Sequence, residues 1–121
     1  MSRRRVLVVE DEMVVAMLVE DMITELGYEV AAVVSRVEDA MALADSGNFD
    51  VAVLDVHLNG KLIFPFADAL SKRQIPFMFA TGYGERGIPP HHAKCPVLQK
   101  PFRAEDLERA LVRLIDGQKP Q

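Results

Sequence analysis

Four residues near the start of the chain, Val6-Leu7-Val8-Val9, are apolar at every position and run straight into three acids, Glu10-Asp11-Glu12. A strand with one wet face alternates apolar with polar residues; one that is apolar throughout has both faces covered. The signature returns at residues 30–34, at Val51-Ala52-Val53-Leu54, at Pro76-Phe77-Met78-Phe79-Ala80 and, shorter, at Val97-Leu98-Gln99. Between these runs the apolar residues change to helical spacing. Val14, Val15, Leu18, Met22 and Leu26 predict a first helix with Gly27 at its C-terminal cap. Ser35-Arg36-Val37-Glu38 reads as a capping box opening a second helix that ends near Ala44. Residues 64–72 predict a third, with Pro65 in its first turn. Leu107, Ala110, Leu111, Leu114 and Ile115 line one face of a last helix. Such alternation predicts an α/β domain, in which right-handed crossovers place helices on both faces of a parallel sheet. The stretch Gly82-Tyr83-Gly84-Glu85-Arg86-Gly87-Ile88-Pro89-Pro90 holds three glycines and two prolines, so a short fourth helix or a mobile loop is expected there.

A length of 121 residues predicts a single domain spanning 1–121, with a core over about 5–116. Residues 117–121 are too few for a further domain, so either a single-domain protein or a fragment is expected. A net charge of -4 argues against nucleic acid as a partner. One cysteine, Cys95, excludes an intramolecular disulfide framework and fits a reducing cytoplasm. The basic triplet Arg3-Arg4-Arg5 is followed by only four apolar residues, too few for the core of an export signal. No stretch is long enough to span a membrane, and a monomer is expected.

The strand ends carry the chemistry. The first strand runs into Glu10 and Asp11, the third into Asp55, the fourth into Thr81 and the fifth into Lys100. Open α/β sheets bind ligands beyond the carboxyl ends of their strands. If the first and third strands are neighbours, three carboxylates meet in one pocket and need a cation; oxygen-only donors favour Mg2+. A carboxylate flanked by a metal, a hydroxyl and an ammonium suits phosphoryl transfer to Asp55, which needs positioning and charge neutralisation above all. Singly, each residue has a duller explanation: Asp11 as a helix cap, Asp55 as a turn former, Thr81-Gly82 as a strand exit, Lys100-Pro101 as a solvated loop. All of them together, in this order, favour the site.

With these residues in hand, the chain resembles a two-component response-regulator receiver domain over roughly residues 5–116. The strings that carry the resemblance are Val8-Val9-Glu10-Asp11-Glu12, Val53-Leu54-Asp55, Ala80-Thr81-Gly82 and Lys100-Pro101-Phe102. It implies a flavodoxin-like fold with five parallel strands in the order 2-1-3-4-5. It implies a signalling module rather than an enzyme, with Asp55 accepting phosphate from a histidine kinase or a phosphotransfer protein. It further implies Mg2+ held by Glu10, Asp11, Asp55 and the backbone carbonyl of His57. Thr81 and Lys100 would contact the phosphoryl group, and the Lys100-Pro101 peptide would often be cis. The string Phe79-Ala80-Thr81-Gly82-Tyr83 resembles the FATGUY receivers, a subgroup associated with HWE-type histidine kinases in alphaproteobacteria.

The chain departs from the family pattern in places. Val97 stands where the family usually has a switching aromatic, and Asn59 where proline is common. Tyr83 is a candidate substitute for the missing ring. His91-His92 are expected to be solvated, and Cys95 to fill a small space in the core. The alternative to a phosphoacceptor is a pseudo-receiver that binds partners without phosphorylation. A haloacid-dehalogenase-type phosphatase would need an acid two residues after Asp55, where His57 stands. A flavodoxin would need a phosphate-cradling loop where the three acids lie.

Overall fold

The computed structural model of the protein describes residues 3–46 and 48–116. The expectation for the short tail at 117–121 lies outside them. A five-stranded parallel sheet is built from β1 (Arg5–Val9), β2 (Glu29–Val34), β3 (Val51–Asp55), β6 (Phe77–Thr81) and β7 (Val97–Gln99), in the order β2-β1-β3-β6-β7. That is the expected 2-1-3-4-5 order once a small hairpin, β4 (His57–Leu58) and β5 (Lys61–Leu62), takes its place in the count. The helices are α1 (Met13–Glu25), α2 (Val37–Ala44), α3 (Phe64–Lys72) and α4 (Ala104–Asp116).

The continuous apolar runs divide by parity. Leu7 and Val9 of β1, Ala52 and Leu54 of β3, and Phe77 and Phe79 of β6 face one core, closed by Ala40 and Ala44 of α2 and by Phe66, Ala67 and Leu70 of α3. Their neighbours Val6, Val8, Val51, Val53, Met78 and Ala80 face a second core against Val19 and Ile23 of α1 and Leu107, Ala110 and Leu111 of α4. Successive strand side chains point to opposite faces, so runs with no polar member need a helix layer on each side. The result is the flavodoxin-like three-layer arrangement.

Helix α1 ends as expected. Gly27, at φ 94°, donates to Thr24 O while Tyr28 donates back to Ile23 O, the paired bonds of a Schellman cap. Its inward face differs from the expected one. Ala16, Val19 and Ile23 are the buried residues, whereas Val14 and Leu18 are 71% and 54% exposed. Every residue from Met13 to Val19 is apolar, so periodicity could not tell the core face from the free one there. The capping box before α2 does not form either. The cap position is Arg36, without a side-chain bond, and Glu38 instead reaches Lys61 of the hairpin at 2.6 Å. Between β6 and β7 the only helical element among the described residues is a 3₁₀ turn, Pro90–His92, in keeping with the glycines and prolines around it.

Candidate functional site

Strand register builds a row of functional groups. Val9 lies opposite Leu54, Asp55 opposite Ala80, and Thr81 opposite Gln99. Parallel strands finish on one edge, so Glu10, Asp55, Thr81 and Lys100 follow side by side. Two further backbone bonds extend the ladder past the strand ends: Glu10 donates to Val34 O at 3.0 Å and Lys100 to Thr81 O at 2.9 Å.

Carboxylate oxygens of Glu10, Asp11 and Asp55 all lie within 4.8 Å of one another. Glu10 is 5% exposed and Asp55 8%. Lys100 donates to Glu10 Oε1 at 2.6 Å and stands 3.4 Å from Asp55 Oδ1. The Lys100-Pro101 peptide is cis, as the resemblance implied. Glu10 Oε2 also accepts the Glu12 N–H at 3.1 Å, which fixes the carboxylate that meets Lys100. Asp11 accepts the Asn59 N–H at 3.0 Å. The β4–β5 hairpin is thus tied to the acidic pair.

The charge balance of the pocket is uneven, with three carboxylates facing one ammonium. Burial pushes the Asp55 carboxyl up to about 7; Glu10 adds to the rise by hydrogen bonding and charge, and Lys100 opposes it. Burial acts to lower Lys100, but Glu10 and Asp55 outweigh it and hold the amine above its ordinary value. The lysine therefore stays an ammonium, and one further cation would favour the ionised form of Asp55. The donors are hard oxygens on a partly open rim, which fits Mg2+ keeping several of its waters.

The remaining expected residues lie on the same rim. Thr81 is buried, and its Oγ accepts the Tyr83 N–H at 3.1 Å, so the hydroxyl keeps its own proton to donate. His57 begins β4, and its ring meets Tyr83 edge to face at 5.5 Å. Val97, at the usual aromatic position, is partly buried in the core. Sequence reasoning missed the hairpin, although its signal was present. Asn59 and Gly60 both have positive φ, 49° and 82°, and Asn-Gly is the strongest short hairpin signature. The two histidines are not both solvated: His92 is buried, and both rings reach Asp68.

Similarity to known proteins follows the same lines. The response regulator receiver domain matches residues 6–112. The transcriptional regulatory protein PdtaR of Mycobacterium tuberculosis is 30% identical over 112 residues, covering 89% of this chain and 55% of PdtaR. The chain thus spans about half the length of the curated relatives it matches. Among solved structures, SdrG from Sphingomonas melonis Fr1 superposes with a TM-score of 0.85 at 39% identity, over 95% of this chain and 99% of SdrG. The receiver domain of the sensor histidine kinase PA1611 from Pseudomonas aeruginosa PAO1, solved with a magnesium ion coordinated in its active site cleft, superposes with a TM-score of 0.83 at 25% identity, over 95% of this chain and 99% of that one. The family match over residues 6–112 takes in every strand end that contributes to the acidic rim, and with it the chain belongs to the response-regulator receiver domains of two-component signalling.

Proposed function

We propose that this receiver accepts a phosphoryl group on Asp55 in a Mg2+-dependent reaction, taken from the phosphohistidine of a histidine kinase or phosphotransfer protein. The observation that carries the proposal is the position of Lys100, bonded to Glu10 and 3.4 Å from Asp55 within a cluster of three acids. Bound between Glu10, Asp11, Asp55 and the His57 backbone carbonyl, Mg2+ would supply the charge neutralisation that ionises Asp55 and screens the phosphoryl oxygens. An Asp55 carboxylate oxygen attacks phosphorus, the P–N bond breaks, and the donor imidazole leaves with the electron pair. Lys100 then pairs with the added charge of roughly -1.5 to -2. Thr81 donates its hydroxyl proton to a phosphoryl oxygen.

The switch follows from what Thr81 already holds. Its Oγ accepts from Tyr83, so a turn of the hydroxyl toward the phosphoryl group draws on the start of the 82–94 segment. Output is read there by a protein partner. The Phe79–Tyr83 string favours an HWE-type kinase as the donor. A pseudo-receiver reading draws on Val97, which removes the usual aromatic, but it leaves the intact acids and lysine without a task.

The deciding experiment treats the chain with acetyl phosphate and Mg2+ and measures intact mass. The expected result is a gain of one phosphoryl group, absent without Mg2+ and absent in Asp55→Asn. No gain in the unmodified chain would sink the phosphoacceptor and leave the pseudo-receiver.

A further inference from the structure

Away from the acidic rim, a second group of metal-ligating side chains converges. His91 Nε2 lies 2.9 Å and His92 Nε2 2.8 Å from the same oxygen, Asp68 Oδ1. Asp68 belongs to α3 and the histidines to the 3₁₀ turn Pro90–His92, so the contact joins two elements. Residues adjacent in a 3₁₀ turn ordinarily project about 120° apart. Here the two rings turn to the same side, with centroids 4.1 Å apart.

We propose that Asp68, His91 and His92 form a Zn2+ site that clamps the segment before β7 to α3. Two imidazoles and one carboxylate are a donor set zinc takes readily, with water in the fourth position. That position is open here, because the side chains of His91 and Asp68 are 60% and 48% exposed. The scale fits as well. Tetrahedral bonds of about 2.0 Å place ligand atoms about 3.3 Å apart. The three ligand atoms lie within 4.8 Å of one another, and the two contacts to Asp68 need open by only about half an ångström to reach that spacing.

One ligand is held in place before any ion arrives. His92 is 3% exposed, and its ring lies against Phe64, Phe77 and Phe79, at 6.4, 5.4 and 5.7 Å. Packing of that kind fixes ring orientation, as ligands in built sites require. A hydrogen-bonded latch would need His92 alone. The second bond, from the exposed His91, competes with water, returns little, and gives little reason for that ring to fold beside its neighbour. The consequence is local. The clamp ties down the far end of the 82–94 segment, whose near end Thr81 moves, so zinc would narrow the motion available to it.

The test is zinc titration of the tag-free chain in millimolar Mg2+, followed by competition with a chromophoric chelator and by imidazole nitrogen NMR. One equivalent is expected to bind, moving the His91 and His92 ring nitrogens together. His91→Ala and Asp68→Asn, both at exposed positions, should each weaken binding by at least about tenfold. Asp11→Asn, on the acidic rim, should leave the titration unaltered. Hydrogen exchange across residues 82–94 should slow on zinc binding in the unmodified chain and in Asp11→Asn, and not in His91→Ala or Asp68→Asn. Absence of saturable binding, or equal affinity in the His91→Ala and Asp68→Asn variants and the unmodified chain, would overturn the site. None of these readouts depends on phosphorylation of Asp55.

Discussion

Lys100 gives its short bond, 2.6 Å, to the buried carboxylate of Glu10, ninety positions earlier in the chain. Asp55 lies beside the same ammonium at 3.4 Å. A buried pair broken from one side leaves an uncompensated charge, which is costlier than the pair is worth. Lys100→Ala therefore strands Glu10 beside two more acids. The expected loss is about 3 kcal/mol in urea unfolding without divalent ions. Added Mg2+ should recover part of it by taking over the neutralisation. A variant as stable as its parent in chelator would show that the bond carries no weight.

The raised carboxyl of Asp55 makes stability depend on pH in a definite direction. Its ordinary value is 3.8, and the folded value is about 7. Between these limits the folded state holds more protons than the unfolded one, so stability falls as pH rises from about 4 to 7. The contribution is full below the unfolded value and gone above the folded one. Asp55→Asn should remove this slope and stabilise the metal-free chain at pH 7 by ~2 kcal/mol, less than the full shift converts to because the rim is open to water. Mg2+ should flatten the slope in the parent and do little for the variant. Thermal unfolding across this range, in chelator and in Mg2+, checks both.

Much of this rim could be read before the fold was known, and the reason is geometric. Strands apolar on both faces must lie inside a sheet, and parallel strands share one carboxyl edge. Placing five runs therefore places Glu10, Asp55, Thr81 and Lys100 together. What escaped reading lay in segments whose environment is set by distant partners. Helix α1 is apolar at every position from Met13 to Val19, so only packing decided that Ala16 and Val19 turn inward while Val14 and Leu18 do not. Glu38 left its capping role for Lys61, a residue that only the fold brings near. His92 looked like a surface residue until three phenylalanines from α3 and β6 closed over it.

The hairpin offers a backbone test. Gly60 has φ 82° with nothing within 4 Å of an added Cβ, so any cost of Gly60→Ala comes from conformation and not from collision. That cost should be about 1–2 kcal/mol in urea unfolding. Asn59→Gly relaxes the neighbouring positive φ of 49° and should be nearly neutral. Because the Asn59 N–H holds Asp11, the alanine variant should also bind Mg2+ more weakly, whereas the glycine variant should not. Equal effects of the two substitutions would mean the turn does not hold the acidic pair.

Helix α1 begins one residue after Glu12, and the exposed residues of its first two turns are apolar. Met13, Val14, Met17 and Leu18 are all exposed, and Leu18 lines a groove with Val15, Met22 and Phe102 that reaches Lys100. An apolar surface beside a phosphoacceptor suits the protein that delivers the phosphoryl group, since the donor histidine must come within bonding distance of Asp55. A small phosphodonor needs no such surface. Leu18→Asp should therefore lower the rate of transfer from the cognate phosphorylated kinase by about tenfold or more, as loss of a central apolar anchor does at an interface. Labelling by acetyl phosphate should stay at the parental rate, and folding stability within about 0.5 kcal/mol, because the side chain is exposed. Equal losses with both donors would place the defect in the acidic rim. Unchanged transfer from the kinase would remove α1 from the docking surface.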